Sequence, residues 1–267
     1  MQRRFQYWSW LINYRMVLSY EGTDFFGFQA QTKSGLRTVQ GELNRVFQEV
    51  FDITPDLCVS GRTDRGVHAS GQVVNFKWER ELPFDKIKHA LNAGLSDDVR
   101  VVMVDQVADD FHARYSARSK TYHYYFSLEP VPLYLRKFVT HVKLQLNRLD
   151  LMDALSDTFV GTHNFRNFKA LGSFKSSDIK TIYEFKIEPV KQFSIWQEAF
   201  SVPIYCVEVR GSGFLYKMMR NIVGNCLEVM RGRRSMKDLQ MQLSSDVKCY
   251  TYTTAPAQGL CLVSVEY

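Results

Sequence analysis

Residues Val59 to Val74 read VSGRTDRGVHASGQVV and set a single carboxylate, Asp64, between Arg62 and Arg65. His68 follows closely, and glycines stand at 61, 66 and 71. An ionised aspartate is a competent nucleophile or base. Moving it into a dry pocket raises its pKa and neutralises it unless a cation is supplied. Arg62, or an arginine brought from elsewhere in the chain, can supply that cation, and the glycines let backbone approach a flat substrate closely. The same TDRG residues also read as a plain turn, with Asp at its start and Gly at its end.

A second stretch, FHARYSARSKTYHYYF from Phe111 to Phe126, interleaves Tyr115, Tyr122, Tyr124 and Tyr125 with two arginines and a lysine. Stacking a nucleobase on an aromatic ring is worth roughly 1 to 3 kcal/mol, and neighbouring cations hold phosphates. In a strand beginning near Thr121, Tyr122 and Tyr124 share one face while His123 and Tyr125 share the other, so not every tyrosine can meet a substrate. Other catalytic templates fail: the chain has no phosphate-binding P-loop, no H-E-x-x-H and no nucleophile elbow. The GSG at 211 to 213 is too short to indicate a nucleotide site, and only Asp64 among the acids has a distinctive setting.

The net charge of +6 is unevenly placed. Residues 210 to 234 hold Arg210, Lys217, Arg220, Arg231, Arg233 and Arg234 against Glu228 alone, and residues 112 to 124 hold Arg114, Arg118 and Lys120 with no acid. Concentrated basic charge is the footprint of a face that binds a polyanion, and two solvated surfaces are the plainer reading. The five cysteines, Cys58, Cys206, Cys226, Cys249 and Cys261, are odd in number and widely spaced, which suggests neither a disulfide framework nor a zinc site. No apolar run approaches the length that spans a bilayer, so a soluble cytoplasmic protein is expected. The first 13 residues are basic but aromatic rather than serine-rich, and read as an N-terminal extension rather than an organelle transit peptide.

These groups must be carried by elements the spacing predicts. Tyr14 to Tyr20 has strand composition; Thr38 can cap a helix on which Val39, Leu43, Val46, Phe47, Val50 and Phe51 recur at helical spacing. Leu57 and Val59 make a short strand, and Val74, Phe76 and Trp78 alternate as in a half-buried one. A helix from Phe84 to Leu95, entered at Pro83, and a strand from Val99 to Val107 complete β-α-β-β-α-β, the ferredoxin-like order. The order recurs more loosely: a strand at Thr121 to Ser127, a helix at Leu149 to Val160, strands at Thr181 to Val190 and Ser201 to Val209, and a largely buried helix at Phe214 to Met230. A short helix after Ser235 and a final strand follow. Two α/β halves, 14–113 and 114–267, are expected after an extension of 1–13, their sheets joining across a basic cleft.

At these residues the sequence resembles the A-type tRNA pseudouridine synthases, which modify the anticodon arm. SGRTDRGVHA is similar to that family's catalytic motif. YEGTDFFGFQAQ at 20 to 31, TVQGELN at 38 to 44, FHARYSARSKTYHY at 111 to 124, GSGFLYKMMRNIVG at 211 to 224 and APAQGLCLVSVEY at 255 to 267 resemble further family blocks in family order. The resemblance covers Tyr14 to Tyr267. It implies that Asp64 is the catalytic nucleophile, that Arg220 pairs with it, that Tyr122 stacks on the target uracil and that Arg62 helps hold the flipped nucleotide.

It further implies an isomerase that converts uridine to pseudouridine at positions 38 to 40 of tRNA without metal or cofactor. A homodimer is implied too, each chain in the pseudouridine synthase fold, with two ferredoxin-like halves on a mixed, mostly antiparallel sheet. Attack of Asp64 on the ribose carbon, attack on the uracil ring and abstraction of a ribose proton all remain open. Phe28 replaces a usual tryptophan, LNAGLSDD at 91 to 98 a more proline-rich turn, and Asn164 a common aspartate. These departures bear on substrate breadth. The competing readings are an RNA-binding protein without chemistry, and a synthase acting on ribosomal or messenger RNA.

Overall fold

The structure is a computed structural model that describes residues 11–30, 35–142, 148–170, 177–190, 194–195, 198–199, 202–245 and 253–267. Residues 1–10 of the extension, Cys249 and the strand start expected at Ser201 lie outside the described residues.

The first half follows the predicted order. Strand β1 (Ile12–Tyr20) begins two residues earlier than its composition suggests. Helix α1 (Val39–Phe51) starts where Thr38 accepts a hydrogen bond from the Gly41 N–H, and Val39, Leu43, Val46 and Phe47 form its buried stripe. Strand β2 (Cys58–Val59) is only one dipeptide long, β3 (His68–Trp78) is long, and α2 (Phe84–Gly94) and β4 (Val99–Gln106) close the unit. Pro83 stands at the N-cap of α2 rather than inside it.

Strand β3 departs from the half-buried expectation, because both of its faces are covered. On one face α1 lays Phe47 edge-on against Phe76 at 5.1 Å and Phe51 against Trp78 at 5.1 Å. On the other face, the chain after β4 is bonded across the strand. Asn13 donates to the carbonyls of Ala108 and Phe111, and the Ala113 N–H donates to Asn75.

The second half contains β5 (Ser119–Ser127), β6 (Thr140–His141), α3 (Met152–Phe159), β7 (Gly161–Asn164), β8 (Ile179–Pro189), the paired β9 (Ser194–Ile195) and β10 (Glu198–Ala199), β11 (Ile204–Gly211), α4 (Met218–Met230), α5 (Met236–Ser244) and β12 (Leu260–Glu266). A 3₁₀ turn at Leu149–Leu151 takes the place of the first turn predicted for α3. Helix α4 begins four residues later than its apolar spacing suggests. Lys217, at φ 59°, is left-handed and stops the helix from extending back to Phe214. Its Met218, Met219 and Met230 are buried, so the methionine stripe is core. Ser235 and Asp238 form a capping box at the start of α5.

One sheet carries both halves in the order β4-β1-β3-β12-β5-β11-β8-β7, with β2 on β3 and β6 on β5. The two halves share one strand arrangement: β1 lies between β4 and β3 with β2 on β3, and β5 lies between β12 and β11 with β8 on β11. The pairing is antiparallel except between β12 and β3 and between β5 and β6. The join between halves follows from the shortness of β2. It occupies β3 at Val74 and Asn75, and β12 takes the other end of the strand, at His68 and Ala69. The loop between β2 and β3, which carries Asp64, therefore stands at the seam. The main apolar cluster runs from Tyr14 through Leu262 and draws on both halves.

Candidate active site

The Ser60 to Val67 loop is fastened by its backbone. The Ser60 N–H donates to Val73, the Gly66 N–H to Phe25, and the Phe28 N–H to Thr63. The Val67 N–H closes a turn on the Asp64 carbonyl, with Gly66 at its third position in the left-handed region, φ 78°. The turn reading and the catalytic reading of TDRG thus describe the same residues.

Side chains brace the loop from below. Tyr20 and Thr63 share a hydroxyl hydrogen bond of 2.8 Å. Gln72, fully buried, accepts from Ser60 Oγ and donates to the Gly61 carbonyl at 2.8 Å and to the Tyr20 hydroxyl. Fixing the backbone in this way lets the Asp64 carboxylate project with few local ties.

Its partner arrives from the first turn of α4. Arg220 donates from Nη1 to Asp64 Oδ2 at 3.1 Å, with the two side chains 16% and 18% exposed. Arg220 is itself held by the chain leading into β12: its Nε donates to the Ala255 carbonyl at 2.7 Å, and the Ala255 N–H donates to the Arg220 carbonyl at 2.9 Å. The carboxylate of one half is therefore charge-paired by the other half, across the seam.

Tyr122 lies on β5 between Leu262 of β12 and Val209 of β11. It is 7% exposed, with its ring edge-on to Phe214 at 4.9 Å and 78°. Burial first, then the nearby Tyr20 and Asp64, push its hydroxyl well above the ordinary phenol range, so it stays un-ionised at neutral pH. Arg62 is exposed on the same loop as Asp64.

The family model described as tRNA pseudouridine synthase matches residues 16–116 and 155–267. The chain belongs to the tRNA pseudouridine synthase family. It is 37% identical over 252 residues to a tRNA pseudouridine synthase A of Shouchella clausii, covering 94% of this chain and 91% of that one. The corresponding protein of Dictyoglomus thermophilum is 38% identical over 260 residues, covering 96% and 100%. That of Thermodesulfovibrio yellowstonii is 31% identical over 258 residues, again covering 96% and 100%. The protein is an isomerase of the class that makes pseudouridine in tRNA.

The synthase sorts its tyrosines as strand alternation requires. Tyr124 is core, bonded to the Thr140 hydroxyl at 2.8 Å, and Tyr125 turns to the other face, where its hydroxyl meets His123 at 3.0 Å. Tyr115 is exposed, with Arg114 over its ring. The histidine of the opening motif is structural. His68 is buried, accepts from the Gly22 N–H at Nδ1 and donates from Nε2 toward the Lys137 and Gln258 carbonyls.

Two sequence expectations change. Two of the motif's glycines serve chain packing rather than substrate approach: Gly66 makes the turn, and a Cβ on Gly71 would stand 2.2 Å from the Val263 carbonyl oxygen of β12. The basic window at 210 to 234 is also less open than its count suggests. Arg234 is buried and bonded to Asn225, Gln242 and the Asp238 carbonyl. Arg231 and Arg233 pair with Glu228, and Arg210 with Glu184. Of that window, Arg220 is the cation delivered to Asp64. Composition alone carried no signal for the Gln72 and Thr63 braces, for the Ala255 carbonyl or for Phe214.

Proposed function

We propose that the synthase isomerises uridines in the anticodon stem-loop of tRNA, at positions 38 to 40, with Asp64 as nucleophile. The hydrogen bond from Arg220 to Asp64 across the seam carries this reading, because it brings a cation to a largely buried carboxylate from a residue 156 positions away. In this scheme Arg220 holds and aims the Asp64 carboxylate, Tyr122 stacks on the uracil, and Arg62 holds the extruded nucleotide.

A uridine inside a stem cannot reach Asp64, so it must be extruded, at a cost of a few kcal/mol. Stacking on Tyr122, worth roughly 1 to 3 kcal/mol, and phosphate contacts offset that cost. In the net reaction the N1–C1′ bond breaks, a C5–C1′ bond forms, the C5 hydrogen leaves as a proton and N1 gains one. The change is redox-neutral, and the proposal includes no cofactor. The chain divides into 14–113, which carries Asp64, and 114–267, which carries Tyr122 and Arg220, after the extension 1–13. The family resemblance extends the proposal to a cytoplasmic homodimer.

The test is to incubate the protein with unmodified tRNA transcripts and map the pseudouridines formed. New pseudouridine in the anticodon arm is the expected result. Product only in ribosomal or messenger RNA fragments would overturn the substrate, and firm binding with no product would favour an RNA-binding protein without chemistry.

A further inference from the structure

Lys120 stands two residues before Tyr122 on β5, so the two side chains leave the same face of the strand. Its Nζ donates to the Ser60 carbonyl at 2.5 Å, in the loop that carries Asp64. A side chain at Gly61 would collide with it: a Cβ there would stand 2.9 Å from Nζ. Gly61 thus leaves room for an ammonium group beside the candidate active site.

The surroundings of that ammonium are one-sided in charge. Lys120 stands opposite Gly211 of β11, which stands opposite Ile182 of β8, two residues from Lys180. The charges of Lys180 and of Arg114, from the segment before β5, both act on the ammonium, and both are positive. Among the described residues, none of Lys120, Arg114 and Lys180 forms an ion pair. Asp64, in the adjoining loop, is paired with Arg220, and Glu266 of β12 accepts from the Ser119 hydroxyl. Burial first, then these two cations, pull the Lys120 ammonium down to about 8. An ammonium has three donors, and the Ser60 carbonyl takes one.

We infer that Lys120, Arg114 and Lys180 form a subsite for a phosphodiester of the RNA backbone next to the extruded uridine. The inference rests on the tRNA-modifying reading above and names a contact that reading lacks. The phosphate supplies the missing counter-charge, and Lys120 links it to the loop that carries Asp64. The plainer alternative is that Lys120 only braces the Ser60 carbonyl.

The test is the salt dependence of binding to an unmodified tRNA transcript, measured for wild type, Lys120→Met, Lys120→Arg, Lys180→Met and Arg114→Met, with single-turnover rates at saturating tRNA. A lost phosphate contact lowers the slope of log K against log salt by about 0.7 to 0.9. The expected result is that loss in Lys120→Met, with affinity down about tenfold at moderate salt, and a slope kept in Lys120→Arg. Lys180→Met and Arg114→Met, which leave the Ser60 contact intact, lower the slope too. Unchanged slopes in all three methionine variants overturn the subsite, and a lower rate at saturation in Lys120→Met would then identify a brace. Wild-type binding with the full slope but no pseudouridine would remove the modifying reading and leave the subsite standing.

Discussion

Arg220 reaches Asp64 at 3.1 Å while its Nε is held by the Ala255 carbonyl at 2.7 Å, so one guanidinium links α4, the approach to β12 and the loop before β3. A lysine cannot make both bonds with one fixed fork. Arg220→Lys is expected to lower kcat by about 10- to 100-fold, since each tenfold corresponds to about 1.4 kcal/mol of barrier, while tRNA affinity stays within a few-fold. Single-turnover rates and equilibrium binding check this. Normal kcat in Arg220→Lys would remove the arginine from the reacting arrangement.

In the proposed scheme the uracil stacks on Tyr122, whose ring is packed edge-on against Phe214. Tyr122→Phe should keep tRNA affinity close to wild type, and Tyr122→Ala should weaken it by about 10- to 100-fold, in line with roughly 1 to 3 kcal/mol per stacked base. Binding measured in an Asp64→Ala background separates affinity from turnover. Equal affinities for the Phe and Ala variants would contradict stacking.

His68 ties the Gly22 loop to the carbonyls of Lys137 and Gln258 and must be neutral at Nδ1 to accept from Gly22. Burial holds its pKa below the ordinary imidazole value, against the opposing pull of the Lys137 carbonyl and Glu21. The unfolded chain therefore binds the proton more readily. The stability His68 contributes is present above about pH 6.5 and is lost as pH falls through the depressed folded value. Urea midpoints should show wild type more stable than His68→Gln by about 1 to 3 kcal/mol at pH 7.5, with the gap shrinking toward pH 5. A gap independent of pH would contradict this account.

Burial first, then the positive charges of Arg114 and Lys180, pull the Lys120 ammonium down to about 8 in the free protein. Its phosphate contact needs the charged form, so the contact is complete below that pH and fades above it. Wild-type affinity for tRNA should fall between pH 7 and 9 relative to Lys120→Arg, whose guanidinium stays charged. Parallel pH profiles for the two proteins would count against the role.

Much of this arrangement was legible in the residues, for physical reasons that differ by element. The buried stripes of α1 and α4 and the alternation of β5 follow from apolar spacing, and the repeated order of elements follows from them. The start of α4 was not legible, because left-handed Lys217 gives no compositional sign. The closeness of Asp64 and Arg220 was not derivable from spacing either, since the seam between β3 and β12 is a pairing of strands far apart in sequence. Resemblance to family blocks supplied that pair, and the fold shows how Ala255 holds it. The charge count at 210 to 234 overstated the open basic surface, because it cannot separate Arg220 from Arg234, whose guanidinium is buried in hydrogen bonds.

The most direct test of the central claim, that Asp64 carries the reaction, is tritium release from a tRNA transcript labelled at uridine C5, with wild type and Asp64→Ala in parallel and tRNA affinity measured for both. Wild type alone should release tritium, with the two affinities within a few-fold. Release by Asp64→Ala at the wild-type rate would contradict that claim.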